Sequence, residues 1–399
     1  MKILVLNCGS SSIKYKLFEM ENETVIAQGG IEKIGLPGSF LTIKLPNGEK
    51  KVIKQDMPEH TAGIKLILDS LTHEGYGALK SLTEINAVGH RVLHGGSKFC
   101  SSVVITKPVI DAIVQCCDLG PLHNPANLKG IYAIQSILPN VPQVAVFDTA
   151  FGQTMPDYAY MYAIPYEYYD KYALRRYGFH GTSHRYVSKH VFKYLGINPE
   201  GTKLITCHIG NGASVSAIKD GKCVDTSMGL TPLEGLMMGT RSGDIDGGAI
   251  TYIEKKEGLN PDEMSTLLNK KSGLMGISGV SSDMREVCAA AKSGNERAQL
   301  ALRMYHYRIK KYIGAYSATL GGLDILLFTG GVGENNIISR EWVCDGLEYL
   351  GVKLDKEKNA QVQGTEAVIS APDSKVKVVV IPTNEELMIA RDTLHLVQE

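Results

Sequence analysis

Two stretches decide the fold: KILVLNCGSSSIKYKLFEM at residues 2–20 and KLITCHIGNGASVSAIKDG at residues 203–221. Each opens with an apolar run, breaks at a Gly-rich turn and resumes as a second strand. Asp220-Gly221 suits a two-residue hairpin turn. At a constant offset Lys2 falls on Lys203, Asn7 on His208, Gly9 on Gly210 and Ser10 on Asn211, half a chain apart. This reads as an internal duplication.

Elsewhere strands alternate with amphipathic helices, as in α/β proteins. Residues 59–72 set Ile64, Ile67, Leu68 and Leu71 on one helical face, and Tyr305, Ile309, Tyr312, Tyr316 and Leu320 stripe another. Gly321-Gly322 stops that helix, and DILLF at 324–328 reads as a buried strand. At 399 residues the chain exceeds a single core, so two domains are expected. FGQTMPD at 151–157, after the strand VAVFD, is the expected crossing, because Gly152 and Pro156 break regular structure.

Composition excludes several functions. Lys plus Arg equals Asp plus Glu at 42 each, so the basic field of a nucleic-acid or anionic-membrane binder is missing. No stretch has membrane-spanning length, and the apolar run before Asn7 is too short for a signal segment. Eight cysteines show neither CxxC nor zinc-ligand spacing, so reduced thiols in a cytoplasmic protein are expected.

Neither GxxxxGK[ST] nor a complete dinucleotide fingerprint occurs. Phosphate binding is expected instead at NCGSSSIK (7–14), HIGNG (208–212) and TGGVGEN (329–335), each following a buried strand. Glycine lets backbone N–H groups approach an anion, and ligands gather beyond the carboxyl ends of strands. A single such turn is more often a mere strand break; three together favour phosphate. Lys14 offers an ammonium for phosphate and Asn7 an oxygen for Mg²⁺; a solvated lysine and a turn asparagine are the bland alternatives.

Gly89-His90-Arg91 and Gly239-Thr240-Arg241 each place a guanidinium near glycine, suited to gripping a carboxylate or phosphate. YGFHGTSH at 177–184 presents His180 as a donor to a phosphoryl oxygen, and Asp148 ends the strand VAVF where it can orient Arg91 or Mg²⁺. PTNEEL follows the strand KVVVI and opens a helix. Thr383 and Glu386 have capping-box spacing, which leaves Glu385 as a second Mg²⁺-linked carboxylate. An acceptor that is itself a carboxylic acid is ionised near neutral pH and needs no general base.

In order, LNCGSSSIK, GHRVLHGG, VFDTAF, RRYGFHGTSH, HIGNGAS, GTRSGDIDGG, GGVGEN and PTNEE resemble the acetate kinase family across essentially the whole chain. The resemblance implies an α/β protein of two duplicated actin-like ATPase (ribonuclease H-like) domains around a nucleotide cleft. These are residues 1–150 plus 386–399, and residues 151–385 with most of the ATP site, in a homodimer. It implies reversible phosphoryl transfer between ATP and acetate, giving acetyl phosphate and ADP, with Mg²⁺ required and Mn²⁺ as a substitute. By matching motif, Asn7 and Glu385 handle the metal. Lys14, His208, Ile209, Gly210, Asn211, Gly212, Gly331, Val332, Gly333, Glu334 and Asn335 bind ATP, with Asp283, Met284 and Arg285 on the adenosine side. Arg91 binds the acyl substrate, His180 and Arg241 stabilise the transition state, and Asp148 is the family's essential acid. Leu93, Leu122, Phe179 and Pro232 fall at the acyl pocket. Leu93 stands where valine is common, and the added methylene favours acetate over longer acids by about 1–3 kcal/mol.

A propionate or other short-chain carboxylate kinase is the alternative. A sugar kinase would want a carboxylate base and polar sugar contacts. A nucleotide-dependent switch would need a peptide- or DNA-binding module, for which no residues are left over.

Overall fold

In the computed structural model, which describes residues 1–45, 47–121 and 123–399, the chain forms two compact units. One comprises Met1–Gln153 with Asn384–Glu399, the other Thr154–Thr383.

In the first unit ILVL of the KILVL run is the buried part of β1 (Lys2–Cys8), and β2 (Ser12–Glu19) returns antiparallel to it with Asn7 opposite Lys14. The sheet continues through β3 (Thr24–Glu32), β4 (Phe40–Lys44) and β5 (Lys50–Lys54) on one side. On the other lie β6 (Ile85–Val92), β7 (Val103–Val104) and β8 (Gln143–Phe147), in the order β5-β4-β3-β2-β1-β6-β8-β7. Strands β1, β6 and β8 are parallel neighbours.

Alternation sorts the residues of β6 between two faces. The helix Asn124–Ile137 packs on β1 and β6, with Gly130 beside Cys8 and His90. The terminal helix Glu385–Gln398 packs against the face of Gly89 and Arg91. A Cβ on Gly89 would lie 2.5 Å from Thr393 Oγ1 and 2.7 Å from Ile389 Cγ2. Only glycine lets that helix sit so close, and this brings Glu385 to the end of β6 that carries Arg91.

The second unit repeats the plan with β9 (Lys203–Ile209), β10 (Ala213–Lys219), β11 (Lys222–Thr226), β12 (Ile325–Thr329), β13 (Ala367–Val368) and β14 (Lys377–Val380). Their order is β11-β10-β9-β12-β14-β13. Like β1, β9 has an antiparallel partner on one side and a parallel one on the other. Asp220 and Gly221 take positive φ values of 53° and 74° at the hairpin turn. The helices Gly181–Leu195 and Glu296–Leu320 pack on this sheet.

Local details differ from the sequence reading. His208 and Ile209 complete β9, because Ala213 and Ser214 of β10 pair with them, so that turn is only Gly210–Gly212. TGGVGEN forms a short helix, Gly330–Asn335, rather than a turn. The terminal helix lacks the expected capping box. Asn384 accepts from Leu387 N at 3.2 Å, Thr383 bonds Ser183, and Glu386 pairs with Lys16 at 3.0 Å. All eight cysteines are unpaired, and among the described residues no helix is long and apolar enough to cross a membrane.

Candidate active site

In the first unit Arg91, on β6, donates from Nε (3.0 Å) and Nη2 (2.5 Å) to one oxygen of Asp148, the residue after β8. Asp148 is 1% exposed, and its own N–H continues the sheet ladder to Val92 O at 3.0 Å. Burial pulls the Arg91 pKa down, but the charge and hydrogen bonds of Asp148 more than restore it. Glu385 begins the terminal helix nearby. Burial pushes its carboxyl up to about 8, and the Asp148 charge adds to that, against the smaller opposing effects of Arg91 and Lys14. Lys14, Arg91, Asp148 and Glu385 are therefore electrostatic neighbours, with Asn7 opposite Lys14 in the sheet. Leu93 follows β6, is 3% exposed, and has its N–H held by Asn127 Oδ1 at 3.0 Å. Leu122 lies outside the described residues.

Asp148 and Glu385 are thus two neighbouring carboxyl groups, and Asn7 pairs with Lys14 in the adjoining hairpin. Among the described residues no group of three His, Cys, Asp or Glu side chains could hold a metal.

In the second unit the ring of His180 and the guanidinium of Arg241 converge on Gly212. A Cβ there would lie 3.4 Å from both His180 Nε2 and Arg241 Nη1. His180 caps the helix Gly181–Leu195 with a left-handed backbone, φ 57° and ψ 22°. A non-glycine residue in that region costs about 1–3 kcal/mol and is concentrated at functional sites. Arg241 Nη1 also donates to Pro232 O at 3.2 Å, joining an acyl-pocket candidate to a catalytic one. Phe179, the other such candidate here, is 2% exposed.

Beyond Gly212 a cavity of ≈ 930 Å³ is lined by Gly210, Asn211, Asp283, Met284, Arg285, Gly331, Val332 and Asn335, all expected from sequence. Its walls also include Leu274, Ser282, Asn336, Ile337, Ile338 and Gln363, which sequence reading missed. Ile337 and Ile338 directly follow the GGVGENN run, and that adjacency was the available signal. Asp283 caps the helix Met284–Lys292 and pairs with Arg285 at 2.6 Å.

Six expected ATP residues are not among those lining this cavity: Lys14, which belongs to the first unit, Gly212, His208, Ile209, Gly333 and Glu334. His208 bonds Ser183 Oγ through Nδ1 at 2.8 Å and stacks on His180 with centroids 4.2 Å apart. Ile209 is a core residue. Glu334 turns back, its Oε1 accepting from Gly330 N at 2.8 Å and Thr383 N at 3.0 Å. Gly333 is a buried residue of the short helix itself.

The sequence profile of the acetokinase family matches residues 2–391. The chain belongs to the acetokinase family. An acetate kinase of Bacteroides thetaiotaomicron is 70% identical over 399 residues, covering 100% of both chains. The crystal structure of Porphyromonas gingivalis acetate kinase superposes with a TM-score of 0.96 at 58% identity over 99% of each chain. A propionate kinase from Francisella tularensis gives 0.92 at 43% identity, again over 99% of each. The two α/β units of this acetokinase-family chain thus have the actin-like ATPase fold, which places each cluster above at the carboxyl ends of parallel strands.

Proposed function

We propose that the chain is an acetate kinase, transferring the γ-phosphoryl group of ATP directly to a carboxylate oxygen of acetate and the reverse. The observation that carries this reading is the convergence of His180 Nε2 and Arg241 Nη1 on Gly212, at the edge of a cavity sized for a nucleotide. Phosphoryl transfer calls for positioning and for donors to the equatorial oxygens, and these two side chains supply such donors.

Arg91 grips the acceptor carboxylate and is itself oriented by Asp148. Asp148 accepts twice from the Arg91 guanidinium and the acceptor is already ionised, so Asp148 works as the orienting anion rather than as a proton carrier. Asn7 and Glu385 would hold Mg²⁺, whose charge, when bound, neutralises the phosphates. Lys14 adds a further cation. Gly210, Asn211 and the residues 331–335 hold the nucleotide, with Asp283 and Arg285 toward the nucleoside. Leu93, Phe179 and Pro232 bound the acyl group. A propionate kinase is the second reading, and buried Leu93 favours the shorter acid. A homodimer in the cytoplasm completes the reading.

The test is ADP formation by purified protein with Mg-ATP, with and without acetate, propionate, butyrate or glucose, trapping acyl phosphate as a hydroxamate. Acetate-dependent turnover with trapped product is expected; turnover indifferent to any acid would overturn the acceptor.

A further inference from the structure

The strands behind His180 carry polar residues where a buried sheet usually has apolar ones. Thr206 and His208 on β9 share a face with Ser216 and Ser214, their partners on β10, and all four are buried. His184, one turn into the helix Gly181–Leu195, lies against this stripe. Its Nδ1 is 2.7 Å from Thr206 Oγ1 and its Nε2 is 2.7 Å from Ser214 Oγ. Ser214 Oγ is also 2.9 Å from His180 Nδ1. A continuous chain therefore runs Thr206, His184, Ser214, His180.

Proton counting gives that chain a direction. Burial, with a further push from His208, holds His184 well below the ordinary imidazole range, so it is neutral and carries one N–H. Ser214 has one hydroxyl proton and two facing imidazole nitrogens, so it accepts from one ring and donates to the other. If His180 donated from Nδ1, Ser214 would donate to His184 Nε2, and His184 Nδ1–H would donate to Thr206. The Thr206 hydroxyl proton would then be left at a fully buried position where the described residues offer only His184 as a partner. Stranding a buried donor is unfavourable. In the opposite direction every proton has an acceptor: Thr206 donates to His184 Nδ1, His184 Nε2–H to Ser214, and Ser214 to His180 Nδ1.

We infer that Thr206, His184 and Ser214 are positioning residues that fix His180 as the Nε2–H tautomer, so that a proton rather than a lone pair faces the transferring phosphoryl group. The inference rests on the proposed function only for the identity of that group. Ser214 acts through His180, as an orienting partner acts on a functional imidazole elsewhere. With Ser214→Ala the two histidines lose their link and His180 loses the donor that holds Nδ1 unprotonated.

The experiment is imidazole ¹⁵N NMR of histidine-labelled wild-type protein, with the His180 signals assigned by substitution, together with steady-state kinetics of Ser214→Ala. Expected are a protonated Nε2 and an unprotonated, hydrogen-bonded Nδ1 on His180. In Ser214→Ala, kcat should fall about 10- to 100-fold, the range for partners that orient a functional imidazole, with KM for Mg-ATP nearly unchanged. A wild-type His180 protonated at Nδ1 overturns the inference, as does Ser214→Ala with undiminished kcat. The wild-type spectrum decides even if the variant fails to fold. It also needs no acceptor: a protonated Nε2 without acetate-dependent turnover would overturn the acceptor and leave the tautomer standing.

Discussion

Replacing Glu385 by Gln should change how stability depends on pH, with a slope that follows from proton linkage. The carboxyl sits at about 8 in the folded protein against an ordinary 4.5. Between those values the native state keeps a proton that the unfolded chain has already released. The stability associated with this group is thus fully present below pH 4.5 and is lost as pH rises through about 8. Each pH unit in that window is worth about 1.4 kcal/mol, so the whole window approaches roughly 5 kcal/mol. Glu385 is half-buried, so solvent screening makes these upper figures. Gln has nothing to titrate. Urea unfolding of both proteins without metal, at about pH 5.5 and about 7.5, should show wild type losing up to roughly 3 kcal/mol relative to Glu385→Gln. The variant's advantage must grow with pH. Parallel curves would refute the claim that burial and Asp148 keep Glu385 protonated.

Arg241→Ala removes a donor at Gly212 but no wall of the nucleotide cavity; kcat should fall about 100- to 1,000-fold with nucleotide affinity retained, measured by kinetics and by ADP titration. Leu93→Ala should raise the propionate-to-acetate ratio of kcat/KM about tenfold or more, the discrimination available from one or two methylenes, and unchanged ratios would remove Leu93 from the pocket. His90 is buried against Gln143 and held at about 4, so its contribution to stability is present above pH 6.5 and is lost as pH falls toward 4. His90→Gln should therefore flatten the acid limb of the unfolding profile by up to roughly 3 kcal/mol, seen as a smaller drop between neutral and acidic pH.

The duplicated plan was legible because it rests on short-range patterns. Apolar runs ended by glycine define β1 and β9, and Asp220-Gly221 has the backbone that such a turn demands. What was illegible involves partners distant in sequence. Thr383 and Glu386 have the spacing of a capping box, yet Lys16, near the other end of the chain, takes Glu386 and Ser183 takes Thr383. Spacing along a helix describes what a side chain can reach locally, and a salt bridge or buried hydroxyl supplied by tertiary packing outcompetes it. Gly89 likewise reads only as glycine beside a candidate arginine; the helix that forbids a Cβ there begins almost three hundred residues later.

The same distinction separates residues that touch substrate from residues that set their state. Candidates at strand ends, Asn7, Arg91, Asp148 and Gly210 among them, were reachable because a strand's carboxyl end is a general location for ligands in this architecture. His208 and Glu334 carry the same motif signature, but their side chains turn inward, His208 to Ser183 and Glu334 to Gly330 and Thr383. A motif therefore marks a backbone segment without saying which of its side chains face the cavity. The signal for the inward network is the reverse of a motif: Thr206, His208, Ser214 and Ser216, with Thr226 and Thr329 paired beside them, make a buried sheet face polar. Buried polar groups persist there only when each finds a partner. Such a run of unexplained polarity on one face points to residues that act through another side chain, here Ser214 through His180.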